Sequence, residues 1–310
     1  MNTSNRIHVV LAVFIAASFL LAIRSMAEAP KPVELGLKVA SFNIRYLTTR
    51  DKGDKHWNIR KTRTIAALRH FDADVIGLQE ASPSQVGDMQ PSITDYGRVG
   101  VGRDDGAEKG ETCSVLYRKD RIDLIDQGTF WLSDSPEVAG SKHWGNEVVR
   151  ICTWVLLYDK PSKRRFYVFN CHFDHVSQVS REHSVRLIAR RIANRDHPDA
   201  PFILTGDFNA DEANPAIRYL KGESVILAGG EGVESTPVKM RDSFRILNPD
   251  IKEVCTSHGF TGKTEGSKID FVFVPEGAVV KESAIDYFKH DGLYPSDHYP
   301  VTTTLVFPSR

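Results

Sequence analysis

Carboxylates, carboxamides and imidazoles recur where short apolar runs of this chain end, and these are groups that bind cations and move protons. Val39-Ala40-Ser41-Phe42-Asn43 ends on an amide, and Val75-Ile76-Gly77-Leu78-Gln79-Glu80 ends on a carboxylate. Taken alone, Glu80 reads equally well as an ordinary solvated strand end. Phe169-Asn170-Cys171-His172-Phe173-Asp174-His175 crowds two imidazoles and a carboxylate at one strand exit, which favours a site over a lone core histidine. In Phe202-Ile203-Leu204-Thr205-Gly206-Asp207-Phe208-Asn209, Asp and Asn stand two residues apart and so share one side of an extended chain. Asp270 follows Ser267-Lys268-Ile269 and precedes an apolar run; buried there, a carboxylate needs a partner. His298, in Ser296-Asp297-His298, is the candidate, because an Asp–His pair fixes the tautomer of the ring and raises its pKa. Arg150 could clamp an anion at a strand rim or be a plain surface arginine. Trp131, Trp144 and Phe173 could stack on a substrate ring, although such aromatics more often fill cores.

The elements that position these groups follow from periodicity. Strands are expected at 38–46, 75–78, 112–117, 122–130, 148–158, 165–173, 202–204, 268–274 and 299–306. Helices are expected at 57–70, 180–194 and 214–220. Asp159-Lys160-Pro161-Ser162 marks a hairpin between two of the strands. Strands outnumber helices, and helices fall between strands in both halves. That order predicts an α/β fold, a four-layer α/β sandwich with two packed mixed β-sheets flanked by helices.

Residues 1–29 differ from the rest. Arg6 and His8 precede an unbroken apolar run at 9–23, followed by Ser25-Met26-Ala27-Glu28-Ala29. This reads as a secretory signal cut after Ala27 or Ala29, with an uncleaved anchor as the rival because Arg24 interrupts the approach to the cut. Either form sends residues 30–310, expected to be one domain, outside the cytoplasm, periplasmic or secreted. Cys113, Cys152, Cys171 and Cys255 lack metal-type spacing, and three of them lie in apolar runs, so buried free thiols are expected. Forty basic and forty acidic residues cancel, which leaves no global field to grip a phosphate polymer.

Ser41-Phe42-Asn43, Leu78-Gln79-Glu80, Asn170-Cys171-His172, Gly206-Asp207-Phe208-Asn209, Ile269-Asp270 and Ser296-Asp297-His298 together resemble the ordered motifs of the endonuclease/exonuclease/phosphatase superfamily. The likeness runs from about Lys38 to Val306. Gly102-Arg103-Asp104-Asp105-Gly106, Gly128-Thr129-Phe130-Trp131-Leu132-Ser133 and Phe173-Asp174-His175 further resemble a bacterial, often exported branch related to the deadenylase side. The resemblance implies Mg²⁺ or Mn²⁺ on Glu80, with Asn43 beside it and Asp297 holding a water of that ion or a second ion. It makes Asp207 the residue that orients or deprotonates the attacking water and Asn209 the one that holds that water or a phosphate oxygen. His298, backed by Asp270, would stabilise the phosphoryl oxygens or act as base, and His172 would donate to phosphate from the opposite side. Arg150 and His175 are candidate substrate contacts. Where some relatives carry threonine this chain has Cys171, which faces away from His172 along the strand.

The function implied is metal-dependent hydrolysis of phosphoester bonds outside the cytoplasm, on small or lipid-linked substrates, by a monomer with no stable protein partner. A secreted DNA or RNA nuclease is the alternative; it calls for basic loops that do not stand out. An inactive binding module is the third reading, but none of the matched residues is missing.

Overall fold

Along β1 (Leu35–Asn43) alternate side chains go to opposite faces. Leu35, Leu37 and Val39 join one apolar cluster while Ala40 and Phe42 join another, as a pleat of period two requires. The computed structural model describes residues 33–309, and from Glu34 the chain forms one compact unit. The leader and its two expected cleavage points lie outside the described residues.

One six-stranded sheet runs β13 (Val279–Ile285), β14 (Val301–Phe307), β1, β2 (Val75–Gln79), β4 (Val115–Arg118), β3 (Tyr96–Val99). The other runs β11 (Met240–Asp242), β12 (Asp270–Pro275), β8 (Phe202–Asp207), β7 (Arg164–His172), β6 (Ile151–Asp159), β5 (Ile122–Trp131), and β9 (Val225–Ile226) pairs with β10 (Val233–Glu234) in a separate two-stranded ribbon. Each six-stranded sheet is mixed: β1 with β2 and β7 with β8 are parallel, and their other pairings are antiparallel. Val39, Val75, Val168, Ile203 and Val272 meet between the sheets, each worth roughly 1.5–3 kcal/mol relative to exposure. Helices Trp57–Phe71 and Pro83–Met89 cover the first sheet through Trp57, Leu68 and Met89 against Phe42, Ile76 and Leu78. Helices Gln178–Ala193 and Pro215–Leu220 cover the second through Val185, Ile188 and Ile217. The expected four layers are therefore present, the hairpin at Asp159 joins β6 to β7, and all four cysteines are free and buried.

Local readings differ in instructive ways. The buried face of helix Trp57–Phe71 is Trp57, Arg60, Arg63, Thr64, Ala67, Leu68 and Phe71, so it includes two arginines, whereas Ile59 is 54% exposed. The first strand ends at Asn43 rather than 46, because the chain turns where Arg45 adopts a φ of 59°. Helix Pro83–Met89 escaped the periodicity reading, yet its start carries a capping box, Ser82 with Gln85, and a proline at the first turn. Strand β13 also escaped: it is an edge strand with a register shift between Val280 and Glu282, and in it only Val280 and Ile285 are buried.

At one end of the interlayer space the same period-two faces turn from aliphatic to polar. Going toward that end, β1 presents Val39, Ser41, Asn43; β2 presents Val75, Gly77, Gln79; β7 presents Val168, Asn170, His172; β8 presents Ile203, Thr205, Asp207. Strand β12 runs the opposite way and presents Val274, Val272, Asp270, with Asp270 opposite Asp207. Beneath the polar end lies a hydrogen-bonded seam between the sheets. Gln79 Nε2 donates to Asn170 Oδ1 (2.7 Å), and Thr205 Oγ1 donates to the same oxygen (3.0 Å). Asn170 Nδ2 donates to the Leu78 carbonyl (2.8 Å), and Gly206 N donates to Ser41 Oγ (3.0 Å).

Candidate active site

Strands β1, β2, β7, β8 and β12 each deliver a polar group to this edge. Asn43, His172 and Asp207 are the last residues of their strands, Asp270 is the first of an oppositely directed one, and Glu80 follows β2 directly. Glu80 and Asn209 sit at φ of 62° and 46°, conformations that non-glycine residues rarely adopt and that concentrate at functional sites. Asp297 and His298 lie in the approach to β14, where Ser296 Oγ donates to the Asn43 carbonyl (2.7 Å) and ties that segment to the end of β1. Arg60 reinforces the tie by donating to the carbonyls of Ile44 (2.6 Å), Arg45 (2.5 Å) and Pro295 (3.3 Å).

The groups meet at hydrogen-bonding distance. Asn43 Nδ2 bridges Glu80 Oε1 (3.1 Å) and Asp207 Oδ2 (2.9 Å), while its Oδ1 accepts from Arg45 N. Glu80 Oε2 accepts from Tyr46 N (2.8 Å). His298 Nδ1 lies 2.9 Å from Asp270 Oδ2 and 3.9 Å from Asp207 Oδ2. Asn209 Nδ2 donates to the Phe173 carbonyl (3.0 Å) and lies 3.0 Å from His172 Nε2, which is 3.5 Å from Asp207 Oδ2.

Burial sets the charges. Asp207 is lifted to about 7, first by desolvation and then by the nearby Asp270 carboxylate. For His298 burial alone would lower the pKa, but Asp270 and Asp207 outweigh it and hold the ring well above its ordinary value, so it is an imidazolium near neutrality. Burial, with Arg150 and Arg103 nearby, pushes His172 well below, and it is neutral. The neutral His172 Nε2 therefore accepts from Asn209, whose amide is oriented by the Phe173 carbonyl.

The residues fit a hard divalent cation. Glu80, His172 and Asp207 offer ligand atoms within 4.8 Å of one another. Asp297 adds a carboxylate whose pKa is raised by burial and by the charge of Glu80, with Arg45 Nη1 3.6 Å away. Carboxylates pressed together at the mouth of a buried site are the oxygen donors such a cation prefers, and it relieves their repulsion. Asp207, Asp270 and His298 also cluster, but His298 is protonated and held by Asp270, which suits it to phosphate rather than to metal.

Arg150 stands directly before β6 and is 4% exposed, so it is no surface arginine. Its Nη2 lies 3.1 Å from His175 Nδ1, and its Nε lies 3.7 Å from Asp174 Oδ2. His175 is half exposed, with Nε2 3.2 Å from Glu147. Phe173 is fully buried against Phe208 and Trp131 is buried with its indole N–H on the Arg103 carbonyl, so both are core rather than stacking surfaces. Sequence reasoning did not single out Arg45, Arg60 or Gln79 as support for the site; only the flanking Gly102–Gly106 segment drew notice to Arg103.

The endonuclease/exonuclease/phosphatase family model matches residues 40–298. A solved endonuclease/exonuclease/phosphatase from Bacteroides vulgatus is 31% identical, covering 88% of this chain and 100% of that one, with a TM-score of 0.77. The mannosyl-6-phosphatase of Bacteroides thetaiotaomicron VPI-5482 is also 31% identical, covering 87% of this chain and 100% of that one, at 0.76. An uncharacterized protein of Acanthamoeba polyphaga mimivirus is 28% identical over 184 residues, 57% of this chain and 68% of that protein.

Proposed function

We propose, from the premise that this chain belongs to the endonuclease/exonuclease/phosphatase family, that it is a Mg²⁺- or Mn²⁺-dependent hydrolase of small or lipid-linked phosphoesters, acting outside the cytoplasm. The observation that carries the reading is the convergence of Glu80, Asp207, Asn209, His172 and the Asp270–His298 pair on one edge between two sheets. The mannosyl-6-phosphatase relative supports phosphate removal from a small hydroxylated molecule. Export is supported by the apolar leader. A balanced charge speaks against a grip on nucleic acid polymers.

Glu80 and Asp297, with Asn43 beside them, would hold the cation, which would neutralise charge developing on the phosphoryl oxygens and the leaving group. Asp207, oriented by Asn43 Nδ2 (2.9 Å), is suited to take the proton from the attacking water while that water's oxygen forms the new P–O bond. The ester oxygen departs with the bonding pair. His298 keeps Nδ1–H on Asp270 and has Nε2–H, without a partner among the described residues, to give to a phosphoryl oxygen. Asn209, whose two N–H groups go to the Phe173 carbonyl and to His172, has Oδ1 left to accept from the attacking water and so to position it. These charges favour Asp207 as base and His298 as donor.

The test is hydrolysis of p-nitrophenyl phosphate, bis-p-nitrophenyl phosphate, single-stranded DNA and RNA by the purified protein with Mg²⁺, with Mn²⁺ and with EDTA. Turnover should require the cation, and Asp207→Asn should lower kcat on the order of 10³-fold or more while leaving the fold intact. Turnover that persists in EDTA, or in Asp207→Asn at the wild-type rate, would refute the reading.

A further inference from the structure

We propose that the site takes a phosphomonoester rather than a phosphodiester, and that Arg150 grips the unesterified oxygens of a terminal phosphate at a narrow inner end beside His172. The proposal rests on the phosphoesterase reading above and narrows it to one substrate class.

Two independent observations lead here. The first is an underused cation. Arg150 is buried and its guanidinium carries five N–H donors, yet among the described residues its one hydrogen bond runs from Nη2 to His175 Nδ1. Nε is buried without a partner, and so is Asp174 Oδ2, 3.7 Å away and beyond hydrogen-bonding reach. The other oxygen of Asp174 accepts from Val176 N (3.0 Å) and Ser177 N (2.8 Å), which holds that carboxylate ionised as a counter-charge. A buried guanidinium with idle donors is costly, and a planar fork of N–H groups matches two oxygens of one phosphate. Arg103 nearby shares a buried Nε without a hydrogen-bond partner, but both its Nη groups are taken by Glu111, at 2.7 and 3.0 Å.

The second is the shape of that end. Arg103, Glu111, Cys113, Arg150, Ile151 and His172 line a crevice of about 10 Å³, room for about one water-sized group. Cys113 and Ile151 belong to a buried apolar cluster, so the wall is packed core and resists opening. A phosphate oxygen fits against such a wall; a second ester group does not. A diester needs space for a carbon chain on both sides of phosphorus, and a monoester on one only. The monoester also carries close to two negative charges near neutrality, against one for a diester.

The experiment measures kcat/KM on p-nitrophenyl phosphate and bis-p-nitrophenyl phosphate for the wild type, Arg150→Gln and Arg150→Lys. Binding of methyl phosphate and dimethyl phosphate to the wild type is followed by calorimetry in parallel. Expected are a wild-type preference for the monoester of about 100-fold and calorimetric binding of methyl phosphate at least about 10-fold tighter than dimethyl phosphate. Arg150→Gln should raise KM for the monoester about 10- to 100-fold and leave the diester nearly unchanged, with Arg150→Lys between them. Equal wild-type turnover of both esters, or equal calorimetric affinity for both phosphates, overturns the proposal even if neither variant folds. An equal loss on both esters in a folded Arg150→Gln overturns it as well. Calorimetric preference for methyl phosphate in a protein that hydrolyses neither ester would support the phosphate seat while removing the hydrolase reading.

Discussion

An imidazole flanked by two buried carboxylates, as His298 is by Asp270 and Asp207, has its charge decided by them. Replacing Asp270 with Asn removes the nearer one and leaves burial, which opposes the charged ring, less opposed. If the imidazolium is the working form, the wild-type alkaline limb reports its deprotonation and lies well above 6.5. In Asp270→Asn that limb should move to lower pH, with kcat at neutral pH down on the order of 10²- to 10³-fold. A pH–rate profile that keeps its alkaline limb in the variant would remove His298 from the chemistry. The pairing was legible in the sequence because a carboxylate among Ile269, Phe271 and Val272 has few ways to be buried cheaply. Arg45 and Arg60 were illegible: each acts by reaching loops that the chain brings near only once folded, and neither sits in a pattern that announces it.

Elements place these residues through the seam between the sheets. At Gly77 an added Cβ would collide with Thr205 Oγ1 and lie 2.7 Å from Asn170 Oδ1, so the sheets approach too closely there for any side chain. Gly77→Ala should therefore destabilise the protein by about 1–3 kcal/mol and lower kcat, because Glu80 and Asp207 stand just beyond the displaced contacts. Gly87→Ala, in helix Pro83–Met89, meets open space and serves as the control: about 0.5–1 kcal/mol more stable, with activity unchanged. Thermal melts and kcat on both variants decide it; equal effects would mean that the close approach is unimportant. The strands carrying the site could be read because their polar ends follow apolar runs. The seam could not, since Gln79 finds Asn170 across the sandwich, and no spacing within one strand encodes a partner in another layer.

The whole molecule carries an acid sensitivity to which His258 contributes, beside the buried neutral His172. The His258 ring stacks on Tyr299 with centroids 3.9 Å apart, its Nδ1 accepts from Gly262 N (3.2 Å), and its Nε2 is buried without a partner. Burial, with the charged His298 nearby, lowers its pKa from 6.5 to about 4. The unfolded chain takes up this proton first, so the stability this group contributes is complete above about 6.5 and is lost as pH falls toward 4. Melting temperature should drop between pH 7.5 and pH 5, and His258→Gln should shrink that drop; an undiminished drop would show that another group is responsible. The dividing plane of the molecule also runs through its reaction centre. One sheet brings Asn43 and Glu80, and the other brings His172, Asp207 and Asp270. A slip of one sheet past the other by a single residue is a displacement of about 3.4 Å, more than the 2.9 Å that now separates Asn43 Nδ2 from Asp207 Oδ2. Turnover is thus a strain gauge for the sandwich, sensitive to shear between its layers long before any strand has melted.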